Sequence, residues 1–535
     1  MAHPKDASTA ASAVAIPDHA DNASSHPVSE MGIFQTIRRH PMILACCLFA
    51  NVGSFMYGFD NLTLSLCLSM EPFLEQFGDA AGDGSYVVPA YWQSLWNAMP
   101  QLTTGIGAWV AGPLSDRFGR RIAFVVSGMI SAAGVAVVYT ASARGVFLAG
   151  KMVNAVGLGM ALTTGQVYVS EIAPTRFRGV ALSLYTFFMN VGYLVAASIA
   201  FKRVTIMNQS AYKVLFASEW VWPGLLLLGG AFLVPETPYH LARKGLFDKA
   251  RKSLGFLYGK SEANAASVSS VLAAITATLE HESYLGEASP SSFRECFRGV
   301  NWRRTRIVLY CNGLSQMIGA TFLSNAPYFM ISAGYSSSNA AMMVELGIGL
   351  AIIGSFFTFW ALPVLGRRPM ILGGITFTSM LFLIMGIASS VPQQNSKTLW
   401  CTGITLQLVW LTMGPIIGPA MAMAGEVSAV RLRAKTAAIG FFFNYVYSTI
   451  WNVVVPYMFN ADEGNLQGKM GWIYLATCLI SMAVVWFEFP ELKDMRFADI
   501  DERFEMRVPT RAFKKWRDVS VPQTKVPEVE LEQIE

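Results

Sequence analysis

The stretch that decides the fold is SEIAPTRFRG, Ser170–Gly179, together with its echo GEVSAVRLRA, Gly425–Ala434. Each phrase has a glutamate, a short turn-prone stretch and then Arg-x-Arg, and each ends a long apolar run. The two glutamates are 255 residues apart. A second pair, GPLSDRFGRR (Gly112–Arg121) and VLGRRPM (Val364–Met370), also follows two apolar runs. Signals that recur at equivalent places predict an internal repeat of two halves.

Composition places these phrases in a membrane protein. The 535-residue chain is 53% hydrophobic and only 14% charged, whereas an ordinary soluble chain has about 25% charged residues. A spanning helix needs about 20 apolar residues. We predict an all-α integral membrane protein with twelve spans, at residues 42–68, 91–112, 121–141, 145–168, 180–201, 217–235, 306–332, 339–362, 369–390, 399–424, 436–459 and 471–490.

Loop charge predicts the orientation of the chain. Lys and Arg cluster in the loops on one side, while the first loop on the other side, residues 71–87, has neither. Because positive loops stay in the cytosol, both termini are expected there. The predicted organisation is a disordered cytosolic tail (1–40), a six-helix half (41–235), a cytosolic linker with short helices (236–304), a second six-helix half (305–490) and a cytosolic tail (491–535).

Two parallel halves are typical of secondary transporters that rock around a central site. Glu171 and Glu426 lie at the membrane edge, where a carboxylate needs a cationic partner. Arg117 and Arg178 are candidate partners of Glu171, and Arg367 and Arg433 of Glu426. The charges either gate the inner face as a latch or only anchor the loops. The candidate gating network is Asp116, Arg117, Arg120, Glu171, Arg178, Arg367, Glu426 and Arg433.

Asp60, in MYGFDNLTL, lies well inside the first span. A carboxylate within a membrane span is expensive, and it usually has a function such as proton transfer. Neither the seven scattered cysteines nor the six histidines, which all fall outside the apolar runs, have metal-ligand spacing. No cofactor, metal or nucleic acid is therefore expected.

In these motifs the chain resembles the sugar porter branch of the major facilitator superfamily, over about residues 42–515. The supporting motifs include GFD, GPLSDRFGRR, PETP, GRRP and PELK. Within the branch it is most similar to fungal α-glucoside (maltose-type) proton symporters, through YVVPAYWQ, SQMIGATFLSNAPYF, VVVPYMFN and VPTRAFKKW. The resemblance implies the major facilitator fold and a monomer that carries a sugar and protons across the plasma membrane.

The resemblance also assigns site residues. Lys151 matches the position of the family's partner of Asp60, where arginine is usual. A sugar needs many hydrogen bonds in a partly apolar pocket, and the candidate substrate-binding residues are Gln316, Thr321, Asn325, Thr186, Asn190 and Asn444. Hydrogen bonding between helices is the alternative role for these side chains. Tyr193 and Ser315 stand where the family pattern has glutamine. The substitutions at Ser315, Thr321 and Asn325 shorten side chains that would otherwise hold a hexose, which favours a substrate bulkier or less polar than glucose.

Two rival functions keep the same fold. The chain could export a small metabolite by proton antiport, which the substituted pocket positions suggest. A nutrient sensor that does not transport is the other rival, although such a sensor usually has a long signalling tail and only 45 residues follow Pro490. An enzyme is disfavoured because no nucleophile–base pair, metal cluster or phosphate loop occurs.

Overall fold

A computed structural model of the chain shows long helices packed side by side. It describes residues 38–513 except 81–85, 260–266, 278, 281–291, 333, 392–395, 430–431, 460–463, 465, 494 and 496. Residues 1–37 of the predicted tail lie outside the described part, as does the chain after residue 513.

Twelve long helical segments correspond to the predicted spans. Spans 1 to 6 are Pro41–Ala50 with Val52–Cys67, Ala90–Phe118, Arg120–Thr140, Arg144–Ile172, Thr175–Phe201, and Ser210–Glu219 with Val221–Leu228 and a π-turn at Gly229–Leu233. Spans 7 to 12 are Gly299–Met317 with Ala320–Ser324 and Ala326–Ser332, Ser337–Leu365, Arg367–Ser389, Ser396–Val427, Arg433–Phe459, and Met470–Glu488. The chain is thus an integral, multi-pass membrane protein with the predicted fold class.

Eleven of these segments are long and apolar enough to cross a membrane by length and composition. Span 2 is the exception. It carries Gln93, Asn97 and Gln101 among its apolar residues, and these lower its mean hydropathy. Gln93 and Gln101 are buried inside the protein, so these two polar side chains do not face lipid.

Short elements connect the spans. Glu71–Phe77 and a two-stranded antiparallel pair, Asp79–Ala80 with Tyr86–Val87, follow span 1. Between spans 6 and 7 lie the helices Pro238–Arg243, Phe247–Tyr258, Ser267–Ala277 and Phe293–Phe297, and after span 12 the helices Phe497–Glu505 and Thr510–Ala512. The Arg-rich ends of the spans, where spans 2 and 3 and spans 8 and 9 are joined, are called the basic ends below.

Glycines bring the helices of the first half close together. A Cβ on Gly58 of span 1 would lie 2.1 Å from the carbonyl oxygen of Met189, and a Cβ on Gly192 of span 5 would lie 2.2 Å from that of Phe55. Either side chain would collide with backbone. Small residues at such crossings let membrane helices pack closely, and here they hold spans 1 and 5 in contact around the site.

The two halves meet along spans 2 and 11 and along spans 5 and 8. Ser94 Oγ donates to the carbonyl oxygen of Val453 at 3.0 Å, at the ends opposite the basic ends. Near mid-length, Asn190 Nδ2 donates to Ser355 Oγ at 3.2 Å. The described contacts between the halves therefore run through the middle of the molecule and the ends away from the arginine clusters.

Candidate functional site

The intramembrane carboxylate of span 1 is paired with a lysine of span 4. Lys151 Nζ lies 2.6 Å from Asp60 Oδ1, and Asn154 Nδ2 donates to the same oxygen at 2.9 Å. Ser131 Oγ donates to Asn154 Oδ1 at 2.6 Å, which orients the amide. Asp60 is 8% exposed and Lys151 is 2% exposed. Because both charges are buried, each depends on the other, and proton binding to Asp60 would break the pair.

A second buried carboxylate lies beside this pair and was not predicted from the sequence. Glu219 is 4% exposed, and its carboxylate lies beside the hydroxyl of Thr63 of span 1. It interacts electrostatically with Asp60 and Lys151. The predicted sixth span starts at residue 217, which places Glu219 at the membrane edge. The helix starts at Ser210, so Glu219 lies more than two turns inside it.

A chain of hydrogen bonds runs along another face of span 1. Tyr57 Oη donates to Gln101 Oε1 at 3.1 Å, and Gln101 Nε2 donates to Asn61 Oδ1 at 3.2 Å. Asn61 Nδ2 donates to Tyr193 Oη of span 5 at 3.2 Å. Tyr57, Asn61 and Gln101 also line a cavity of about 20 Å³ that reaches the acid–lysine pair. A cavity of this size has room for one water molecule.

The predicted substrate-binding residues of span 7 are close together. Thr321 Oγ1 donates to Gln316 Oε1, and both side chains are buried. Asn325 Nδ2 donates to the carbonyl oxygen of Thr321 at 2.9 Å. The bond from Thr321 uses only the carbonyl oxygen of Gln316, and within the described part of the chain no acceptor is recorded for its amide N–H groups.

The remaining predicted substrate-binding residues lie on spans 5 and 11. Asn190 bonds Ser355 of the other half, and Asn444 Nδ2 donates to the carbonyl oxygen of Asn312 at 2.7 Å. Thr186 is half-buried, one turn before Asn190. Both asparagines therefore make the bonds between helices that were the alternative role.

At the basic end of the first half, Arg120 is the centre of the charge cluster. Its guanidinium lies 2.6 Å from Glu171 Oε1 and 3.3 Å from Asp116 Oδ1. It also donates to Nδ1 of His240 at 2.7 Å. Asp116 makes a second ion pair, at 2.7 Å, with Arg243 of the helix that follows span 6. The cluster ties spans 2, 3 and 4 to the connection between the halves.

One of the two predicted partners of Glu171, Arg117, does not pair with it in the structure. Arg117 is exposed and lies over the ring of its neighbour Phe118, whereas Arg120 reaches the carboxylate. The reason is the turn at Gly119, whose φ of +102° ends span 2 and starts span 3 in a new direction. The side chain of Arg178, the other candidate, lies outside the described part of the chain.

The second half has an equivalent cluster. Arg367, the residue after Gly366, lies 2.7 Å from Glu426 Oε1. This was one of the two expected partners, and the side chain of the other, Arg433, is not among those described. The Arg367–Glu426 side chains are 21% and 23% exposed, against 3% and 11% for Arg120–Glu171. The same ion pair is thus nearly enclosed in the first half and partly exposed to solvent in the second.

Two further glutamates hold the turns between the clustered spans. Glu236 accepts from the backbone N–H groups of Arg120 and Arg121 at 2.8 and 3.2 Å. Glu491 does the same for Arg367 and Arg368 at 3.2 and 3.0 Å. A carboxylate at a helix N-terminus satisfies free N–H groups and complements the helix dipole. This role was missed, although Pro-Glu recurs after 255 residues, the spacing of the opening phrases.

His240 in the first cluster is held neutral. An arginine can only donate, so Nδ1 of His240 accepts and carries no proton. Burial lowers the pKa of His240 from its ordinary 6.5, and the Arg120 charge lowers it further. Glu236 acts in the opposite direction, while Lys244 and Arg243 add to the lowering. The equivalent position of the second half, 255 residues further on, is Met495.

Two six-helix halves with repeated charge clusters, packed around buried polar groups in the membrane, define a secondary transporter. The chain belongs to the sugar transporter family: the family described as "Sugar (and other) transporter" matches residues 46–504. The members of this family are carriers and not enzymes.

Some of the similar carriers have a sugar in their name and others do not. The "MFS transporter fmqE" of Aspergillus fumigatus is 29% identical over 91% of both chains. The "General alpha-glucoside permease" of Saccharomyces cerevisiae is 27% identical over 93% of this chain and 80% of the permease. The xylose transporter XylE from E. coli, in a partially occluded inward open conformation, has a TM-score of 0.68 at 19% identity, and the match covers 85% of this chain and all of XylE.

Proposed function

We propose that the chain is a proton-coupled symporter that moves an α-glucoside or related carbohydrate by alternating access. The basic ends face the cytosol of a fungal cell, with both termini inside, and the monomer works in the plasma membrane. The observation that carries the proposal is the buried Asp60–Lys151 pair with Glu219 beside it. The α-glucoside permeases among the similar proteins support the substrate class.

Proton binding is the proposed trigger. With Asp60 ionised, Lys151 is held at 2.6 Å and ties span 1 to span 4. A proton on Asp60 removes one charge and frees Lys151, so span 1 can move against span 4. Substrate binds between the halves, with Gln316 and Thr321 on span 7 as its proposed contacts. Only the form loaded with both proton and substrate then rearranges easily, which makes transport concentrative.

The experiment is uptake of labelled maltose by proteoliposomes under an imposed pH gradient. Asp60→Asn keeps the shape of the side chain and removes the titrating group. It should abolish accumulation against a concentration gradient while exchange of labelled for unlabelled maltose persists. Ser198→Ala, at an exposed hydroxyl bonded only within its own helix, is the matched control. If Asp60→Asn still accumulates maltose, Asp60 is not the coupling site.

The charge clusters at the basic ends are the proposed gate. In the structure the Arg120–Glu171 and Arg367–Glu426 pairs each lie within one half. When the basic ends approach each other, the same groups come to face the other half and can hold that side shut. Spin labels at Phe118→Cys and Leu365→Cys, half-exposed and each just before the turn glycine, would report the distance between the halves.

Export of a small metabolite is the second candidate. The similar protein from A. fumigatus is named as an MFS transporter with no sugar in its name, and Tyr193 stands where the family pattern has glutamine. Vesicles of known orientation separate the two functions, because a symporter moves substrate with the proton flux and an antiporter moves it against that flux. If no sugar competes for transport at all, export becomes the better proposal.

A further inference from the structure

The hydrogen-bond chain Tyr57–Gln101–Asn61–Tyr193 joins three spans next to the acid–lysine pair. Asp60 and Asn61 are consecutive residues of one helix, so their side chains point about 100° apart. Asp60 faces Lys151 and Asn154 of span 4. Asn61 contacts span 2 and span 5. Any rotation of span 1 that separates Asp60 from span 4 must therefore also strain or break the bonds of Asn61.

With the amides oriented as in the structure, every bond in this chain donates in the same direction, from Tyr57 toward Tyr193. The Tyr57 hydroxyl donates to the carbonyl oxygen of Gln101, so the Gln101 amide nitrogen is the donor to Asn61. The carbonyl oxygen of Asn61 is then occupied, and its amide nitrogen donates to Tyr193. The Tyr193 oxygen is an acceptor in this bond, which leaves its own proton to donate elsewhere. No acceptor for that proton occurs among the described residues.

Tyr193 stands where the two halves meet. Its ring contacts Trp410 of span 10 edge-on, with ring centroids 5.4 Å apart. Trp410 is 5% exposed, and its indole N–H has no hydrogen-bond partner in the described part of the chain. Two unused donors among the described residues, one from each half, thus belong to rings that are in contact midway along spans 5 and 10. They suit a ligand with neighbouring oxygen acceptors, such as the hydroxyl and ring oxygens of a carbohydrate.

We propose that Asn61 and Gln101 are positioning residues that link the protonation state of Asp60 to Tyr193, whose hydroxyl donates to a substrate oxygen. The proposal rests on the proton-coupled function proposed above. With the Asp60–Lys151 pair intact, the chain holds the Tyr193 hydroxyl in one orientation. When proton binding frees span 1, Asn61 moves with Asp60 and releases Tyr193. Substrate affinity therefore follows the charge of a carboxylate that the substrate does not touch.

The first test uses maltose transport by the full-length chain in proteoliposomes. In the wild type the half-saturation concentration should change with pH, by up to about ten-fold per pH unit for one coupled proton. Asn61→Leu and Gln101→Leu should make it independent of pH. Tyr193→Phe should raise it by up to about ten-fold, since one hydrogen bond to substrate is lost, and should also make it independent of pH, since the hydroxyl through which the charge of Asp60 acts is gone.

The matched control is Thr103→Val. Thr103 is a buried polar residue of span 2, half a turn from Gln101, and it bonds only the backbone of its own helix, at Met99 and Pro100. It should keep the wild-type pH profile. A purely structural role of Asn61 would lower activity at all pH values alike and leave the slope unchanged, which would refute the link.

The second test needs no substrate. The fluorescence of Trp410 is obtained as the difference between the wild type and Trp410→Phe, since the chain has 13 tryptophans. On acidification this difference should change in the wild type and in Thr103→Val. It should stay constant in Asp60→Asn and in Asn61→Leu. A response that survives in Asn61→Leu, or that is absent from the wild type, overturns the proposal.

The two tests separate the two proposals. If the wild type does not accumulate maltose but Trp410 responds to pH through Asn61, the sugar symport proposal fails and the link stands. If maltose accumulates with protons while Asn61→Leu keeps the wild-type pH profile, the symport proposal stands and the link fails.

Discussion

Replacing Glu171 by Gln should cost the protein more stability than replacing Glu426 by Gln. The two glutamates make the same bond to equivalent arginines, at 2.6 and 2.7 Å. Their surroundings differ, because Arg120 is nearly enclosed and Arg367 is partly in contact with solvent. Glutamine keeps the shape and one acceptor, so the change isolates the loss of the negative charge.

The exposures set the magnitude. Removing one partner of a buried pair costs about 3–5 kcal/mol, because the remaining charge is stranded without solvent. Arg120 keeps the carbonyl oxygen of Ser115 and the more distant Asp116 as acceptors, so the lower value, about 3 kcal/mol, applies. For a pair that is a fifth exposed, the cost approaches the surface value of about 1 kcal/mol.

Thermal unfolding in detergent measures the difference. A thiol-reactive dye suits this chain, because six of its seven cysteines are buried and react only on unfolding, while Cys401 is partly accessible. For a unit of 150–250 residues, about 2–4 °C per kcal/mol is expected, which gives a drop of about 6–12 °C for Glu171→Gln and about 2–4 °C for Glu426→Gln. Equal shifts, or a larger shift for Glu426→Gln, would refute the reasoning from exposure.

Three more predictions follow from the same contacts. Because the fold lowers the pKa of His240, the stability this residue contributes is complete above its ordinary pKa of 6.5 and is lost as the pH falls toward the lowered value. The thermal midpoints at about pH 7.5 and about pH 5.5 should therefore differ less in His240→Gln than in the wild type. Gly119→Ala should destabilise the protein strongly, because the added Cβ would lie 2.3 Å from a carboxylate oxygen of Glu236. Gly245→Ala, at a φ of +73° but with no atom within 4 Å of the added Cβ, should cost only the backbone strain. Equal thermal midpoints for the two variants would contradict this. Gln316→Ala should weaken competition by unlabelled maltose about 5- to 150-fold, since about 1–3 kcal/mol is lost when a buried polar group loses its partner, and an unchanged competition curve would remove Gln316 from the site.

The spans and their pairing into halves could be predicted because each depends on a local pattern. Twelve apolar runs and the repeated Glu…Arg-x-Arg phrase are visible in a single sequence. Span 2 was found although it is the least apolar by composition, because the arginine-rich phrase after it marks a membrane edge. Where the polarity of the side chains and the charge of the adjacent loop indicate the same boundary, a span can be placed from its own stretch of sequence.

Contacts that depend on helix direction were harder to predict. Arg117 and Arg120 are three residues apart in one phrase, and only the turn at Gly119 decides which of them reaches Glu171. Glu219 was missed because the polar start of span 6, SAYK, was taken for loop. The link from Asn61 to Tyr193 joins residues 132 positions apart, and no spacing rule in one sequence connects them. The ion pair of Asp60 was expected only through the family resemblance that pointed to Lys151.

The acid–lysine pair also determines how this carrier would respond to an electric field. With Asp60 ionised, the charges of Asp60 and Lys151 cancel, and one added proton leaves a net positive charge within the membrane. Whatever charge Glu219 carries, the loaded and empty forms differ by one elementary charge, worth about 2.3 kcal/mol per 100 mV of membrane potential. In the proposed symport, one of the two crossings therefore moves charge through the field. A cell with a negative interior would drive accumulation by voltage alone, even at equal pH on both sides.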